Sequence, residues 1–199
     1  MDKYAHNYLA EKKAERYFCN VISQITRSLT PEPIEEAINK VIVWKGTSIR
    51  YQVVLTTLRS IYGFHIGDYQ LVIRGCTVAL EELQHKKGVY KTQYFSFYKD
   101  IGVAQMAIGE YLAAKRNLDQ SAKYTRNKSY NKYLVHFYQA MNSLRAGWYS
   151  KAYVLYLQNQ RCPNEQIRRQ FAIIEAYLHF LVYTGQLEMD KPSYSRFGF

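Results

Sequence analysis

Between positions 115 and 132 the chain carries Lys115, Arg116, Lys123, Arg126, Lys128 and Lys132. Tyr124 and Tyr130 lie among them, and Asp119 is the one opposing charge. Six cations with interleaved phenol rings could neutralise phosphates and stack on bases. They could equally hold an acidic peptide. Cations also suit the negative end of a helix, so a solvated helix face is the simpler reading. Arg161, Arg168 and Arg169 form a second cluster with the same two readings.

Other chemistries find little support in residue types and spacing. The sequence has no glycine-rich phosphate loop, HExxH, GxSxG or Cys-x2-Cys. His6, His65, His85, His136 and His179 are dispersed. Glu35-Glu36 and Glu81-Glu82 are adjacent pairs that point to different sides of a helix. Cys19, Cys76 and Cys162 are too scattered for a disulfide framework or a zinc site, and read as small core residues. No catalytic set, metal or cofactor is expected.

The elements that would position such residues are helices. From Phe95 to Ile108, Phe97, Ile101, Ala104 and Ile108 recur at helical spacing. Gly109 suits a left-handed cap. A second helix then carries Tyr111, Ala114, Leu118 and Ser121 on one side. Gly102, Ala114 and Ser121 are small enough for the two backbones to approach, with Tyr98 and Leu118 filling the space around them.

Tyr98-x2-Ile101-Gly102 followed by Ala114-x3-Leu118 resembles the tetratricopeptide repeat pattern W-x2-L-G-x2-Y, later A-x3-F. The turn Gly109-Glu110-Tyr111 resembles that family's Gly-Asp-Tyr turn. Gln105 stands where the family has an aromatic, and no proline closes the unit. Similar turns occur at Gly67-Asp68-Tyr69, Gly147-Trp148-Tyr149 and Gly185-Gln186-Leu187. The glycines are 42 (109−67), 38 (147−109) and 38 (185−147) residues apart, against about 34 in the family. That longer period is similar to elongated repeats of some bacterial regulators and scaffolds. Over roughly residues 51 to 187 the resemblance implies an all-α right-handed superhelix of helix hairpins. It also implies that the first helix of each hairpin lines a concave face, where Arg59, Gln105, Asn142 and Glu175 are candidates to bind a partner segment.

In chain order, residues 3–28 read as one helix, with Tyr8, Tyr17, Val21 and Ile25 among its apolar positions. Thr30-Pro31-Glu32 opens the next, with Thr30 as the capping hydroxyl and Ala37 in a small-residue place. Residues 1–48 thus form an N-terminal helical pair, a candidate diverged repeat, ahead of repeats over 49–199. A DNA-reading helix-turn-helix over 15–45 competes, but its turn lacks glycine and its acids would face phosphate. Further helices are expected at about 49–66, 68–86 (capped by Asp68), 91–108, 110–125, 130–146, 148–160 and 164–184. The loop His85-Lys86-Lys87-Gly88 ends one of them. The last repeat is incomplete after Gly185, with Pro192 interrupting the remaining residues. The 164–184 helix is apolar over a broad face, and this C-terminal edge is expected to contact another chain or missing sequence.

At 199 residues and 48% hydrophobic content, the chain can form a packed domain. No apolar run approaches the roughly 20 residues of a membrane helix. The first residues lack a signal peptide's apolar core, so a cytoplasmic setting is expected. Lys and Arg number 27 against 16 acids, and tyrosines number 20. This basic balance admits nucleic acid or acidic protein partners. The expectation is a noncatalytic protein-interaction scaffold or module of a larger regulatory protein. The alternatives are a nucleic-acid binder using the basic face and a peptide-sensing regulator. A salt series of binding to random single-stranded RNA and DNA separates the first two. A solvated basic face expects no tight binding at moderate salt. Tight binding that weakens steeply with salt, and is abolished by glutamine at Lys115, Arg116, Lys123 and Arg126, would assign that run to phosphate.

Overall fold

The computed structural model describes residues 3–25, 27, 30–84, 90–160 and 162–187. The expected loop at His85–Gly88, Arg161, and the segment after Leu187 with Pro192 lie outside the described residues. Among the described residues there are nine α-helices and no strand. They are α1 (Lys3–Ile25), α2 (Glu32–Val43), α3 (Ile49–Ile66), α4 (Tyr69–Leu83), α5 (Lys91–Ala107), α6 (Tyr111–Lys123), α7 (Tyr130–Arg145), α8 (Tyr149–Asn159) and α9 (Glu165–Tyr183). The chain divides into two compact units, Met1–Tyr124 and Thr125–Phe199. The first pair, α1 and α2, packs on α3 inside the first unit.

The turns follow from backbone sterics. Gly67, Gly109, Gly147 and Gly185 have φ of 73, 84, 75 and 70°, a region that side chains with a Cβ disfavour. After Gly109, the Glu110 N–H donates to the Gln105 carbonyl at 2.9 Å. Trp148 donates to Ser143 at 2.8 Å and Gln186 to Leu181 at 2.9 Å in the same way. In these three turns the glycine N–H donates three residues back, to Met106, Leu144 and Val182. This paired arrangement satisfies carbonyls that a helix end leaves open. The helices after the first three glycines begin at Tyr69, Tyr111 and Tyr149. Asp68 caps α4, its Oδ1 accepting from the Leu71 N–H at 2.8 Å.

In the first unit, α5 and α6 fold back on each other. A Cβ on Gly102 would stand 2.7 Å from Leu118 Cγ and 3.2 Å from the Ala114 carbonyl oxygen. Glycine is therefore required there for close approach, not for a turn. Ser121 donates to the Phe95 carbonyl at 2.8 Å, so its hydroxyl is both small and satisfied. A core of Val72, Cys76, Ala79, Leu83, Phe97, Ile101 and Ala104 joins α4 to α5. Ser60 on α3 donates to Asp100 on α5 at 3.0 Å, tying one hairpin to the next. A second core, with Ala14, Ile25, Ile34, Ala37, Val41, Leu55 and Leu58, joins α1, α2 and α3. The Tyr51 hydroxyl donates to the Val41 carbonyl at 2.7 Å within it.

The second unit packs α7, α8 and α9 around Ala140, Ala152, Leu155, Cys162, Phe171, Ile174 and Leu178. Ser129 caps α7 by accepting from Lys132 N–H, and Asn164 caps α9 by accepting from Ile167 N–H.

Three details differ from the sequence reading. Pro31, not Thr30, stands at the start of α2, which has no side-chain cap. The Thr30 hydroxyl instead bonds the Glu32 carboxylate, which lowers that carboxyl's pKa. Tyr8 is 61% exposed, while Ala10, Ala14 and Ile25 are buried. The inward stripe thus runs through 10, 14 and 25, and Tyr8 lies about 200° around the helix from Ala10. Cys19 is exposed, unlike Cys76 and Cys162, because it sits on the outer side of α1.

Gly75 offers a control for Gly102, since a Cβ there meets nothing within 4 Å. Gly102→Ala should lower stability by about 1–3 kcal/mol through overpacking. Gly75→Ala should raise it by roughly 0.5–1 kcal/mol. Urea midpoints of the two variants check this; a midpoint raised in both would show that the α5–α6 approach is not tight.

Candidate partner-binding cleft

In the first unit, α1, α3 and α5 enclose a cleft of about 440 Å³. Its apolar wall is Phe18, Val53, Val54 and Phe97. Thr57 on α3 and Gln93 and Ser96 on α5 supply neutral hydrogen-bonding groups. The Thr57 hydroxyl donates to the Val53 carbonyl at 2.8 Å, so toward a ligand it offers acceptor lone pairs. At the rim, Arg50 lies 3.4 Å from Glu11 and 3.8 Å from Glu15. A bond to Tyr90 and then these two acids raise the Arg50 pKa further. The rim thus carries two carboxylates against one guanidinium. An apolar wall with a few placed polar groups is the general pattern of a ligand cleft.

The four groove candidates fall elsewhere. Arg59 is exposed on α3 and does not line this cleft. Gln105 lines a different cleft on α4, α5 and α6, where its Oε1 accepts from Asn117 at 2.7 Å. Asn142 is 1% exposed inside the second unit, so it is a core residue and not a contact for a partner. Glu175 is half-buried and accepts from the Tyr156 hydroxyl. Burial first, and that bond next, push the Tyr156 hydroxyl up to about 12.

The basic run is divided. Lys115, Arg116 and Lys123 stand on α6 of the first unit, and Lys115 pairs with Asp119 at 2.8 Å. Arg126, Lys128 and Lys132 belong to the second unit, where Lys128 takes φ 59° in the turn before α7. Arg168 donates to the Cys162 carbonyl at 3.0 Å, and Arg169 pairs with Glu165 at 2.6 Å.

Two polar groupings escaped the sequence reading. Ser60, Cys76 and Asp100 meet where α3, α4 and α5 join. Burial, and Asp100 after it, push the Cys76 thiol up to about 12, so it stays protonated and unreactive at neutral pH. In the second unit His136 Nδ1 lies 3.0 Å from Asn159 Oδ1, while the Asn159 amide donates to the Leu155 carbonyl. Burial lowers the His136 pKa, the Asn159 bond opposes this, and Lys132 adds to the lowering.

Among the described residues no helix is long and apolar enough to cross a membrane. None of them forms a group of three or more His, Cys, Asp or Glu that could hold a metal. On α9, Ile173, Tyr177 and Phe180 are exposed at i, i+4 and i+7, an apolar face of the kind expected. The class these observations define is an all-α protein with a recurring glycine-turned hairpin. Comparison with protein-family models, with curated proteins and with solved structures finds no match.

His136 makes the second unit sensitive to acid. Its folded pKa is lowered from 6.5, so the unfolded state binds its proton first as pH falls. The stability is full above about 6.5 and declines below it. Thermal unfolding at about pH 7 and pH 5 should show this loss, and His136→Gln should remove most of it. An unchanged pH dependence in the variant would place the titration elsewhere.

Proposed function

We propose that this chain is a noncatalytic interaction module that binds a segment of a partner protein in the cleft on α1, α3 and α5. One observation carries the reading: the first helices of successive hairpins present a connected apolar wall with Thr57, Gln93 and Ser96 set into it. The resemblance to tetratricopeptide repeats supports the same side of the hairpins as the binding face. Apolar side chains of the partner would seat against Phe18 and Val53, with Phe97 buried behind them. Its peptide groups would bond to Gln93, Ser96 and Thr57. A basic residue of the partner would meet Glu11 and Glu15 at the rim.

The nucleic-acid reading has less behind it. One of its six cations is neutralised by Asp119. A cytoplasmic setting remains part of the proposal and rests on the sequence alone.

A peptide-display selection against the whole chain tests the reading. Enriched peptides should lose at least about tenfold in affinity, 1.4 kcal/mol, on Val53→Asp or Ser96→Arg. They should bind unchanged when Lys115, Arg116, Lys123 and Arg126 become glutamine. Peptides indifferent to the first pair and lost with the second set would overturn the cleft in favour of the basic face.

A further inference from the structure

A second cleft, of about 350 Å³, lies on α4, α5 and α6. It uses a different face of α5. The partner cleft takes Gln93, Ser96 and Phe97, while this one takes Tyr94, Tyr98, Ile101 and Gln105. At 3.6 residues per turn those sets are about a third of a turn apart.

The floor of this cleft holds an unusual polar atom. Tyr94 is 1% exposed, and its hydroxyl has no hydrogen-bond partner among the described residues. A buried hydroxyl without a partner is destabilising. Its ring is fixed by stacking on Tyr124, with centroids 4.9 Å apart, and by Tyr98 at 6.2 Å. Burial, then the neighbouring Tyr124 and Tyr98, raise its pKa, so the phenol keeps its proton at neutral pH.

A second polar pair is built into the same cleft. Asn117 Nδ2 donates to Gln105 Oε1 at 2.7 Å and to the Ala113 carbonyl at 3.3 Å. That leaves the Gln105 amide nitrogen as donor and the Asn117 carbonyl oxygen as acceptor. A donor beside an acceptor is the complement of a peptide or carboxamide group. Leu80 and Ile101 add apolar surface, and Glu81 is the one formal charge on the lining. An anionic ligand is disfavoured here, on a chain whose net charge is +11.

We infer that this cleft is a second binding site, for a neutral or basic peptide segment that places an apolar side chain against Tyr98 and Ile101 and a carboxamide or peptide group against Gln105 and Asn117. The Tyr94 hydroxyl, closed off from solvent in the unliganded chain, bonds the same segment when the segment seats on the cleft floor. This goes beyond the partner cleft on α1, α3 and α5 and does not depend on it.

The test titrates the whole chain with N-acetyl-phenylalaninamide, followed by the side-chain amide signals of Gln105, Asn117 and Gln93 in NMR. Shifts at Gln105 and Asn117 with a dissociation constant of about 1–10 mM are expected. N-acetyl-phenylalanine, whose carboxylate replaces the amide, should bind several-fold more weakly. Tyr94→Phe should leave the urea midpoint equal or higher, because an unsatisfied group is removed, and should weaken the probe several-fold. Gln105→Leu should abolish the Asn117 shift. Shifts confined to Gln93 would overturn this site while leaving the partner cleft standing. The proposal also fails if Tyr94→Phe destabilises the protein and binds the probe unchanged, since the hydroxyl would then serve the fold.

Discussion

The fold depends on how closely two helix backbones can lie. At Gly102 the facing Leu118 occupies the space a Cβ would need, with the Ala114 carbonyl just beyond. Close approach fixes the rotation of α5 against α6, and the left-handed Gly109 fixes where the chain reverses. Those two constraints set which α5 residues remain for other partners. One face meets α4, one meets α6, and the remainder lines clefts. A helix that touches neighbours on several sides must be apolar over much of its circumference. This is why α5 buries Tyr94, Phe95, Phe97, Ile101, Ala104 and Met106.

The same closeness shapes the polar interior. Ser60, Ser121 and Asn159 are buried yet hydrogen-bonded to Asp100, the Phe95 carbonyl, and both Leu155 and His136. Small polar residues let helices come close while satisfying their own groups locally. Tyr94 breaks this pattern, its buried hydroxyl having no partner among the described residues. Departures of this kind concentrate where structure serves something besides packing. The clefts differ accordingly: one has a charged rim and small polar groups, the other a phenol and an amide pair.

The turns were legible in the sequence because a left-handed residue calls for glycine, and the small-residue pattern marked the close approach at Gly102. Asp68 was legible as a cap for a similar local reason. The cleft was not legible. Arg59 and Gln105 are polar residues on α3 and α5, yet polarity alone does not give a helix's rotation. Thr57 lies two residues from Arg59, about 200° around α3. Asn142 reads as a polar contact from its type but is packed inside the second unit. The contribution of α1 to the lining was also hidden, since Glu15 and Phe18 reach the cleft only through the packing of α1 on α3. A usable signal was present in Gln93 and Ser96, whose spacing puts two neutral polar residues on one face beside Phe97.

The most direct measurement is amide hydrogen exchange of the whole chain with and without a partner segment bound. If the cleft on α1, α3 and α5 is the docking site, protection should appear around Phe18, Val53–Thr57 and Gln93–Phe97, and leave α6 unchanged. Protection centred on Arg116–Lys123, with those three stretches unaltered, would contradict the account and move the function to the basic face.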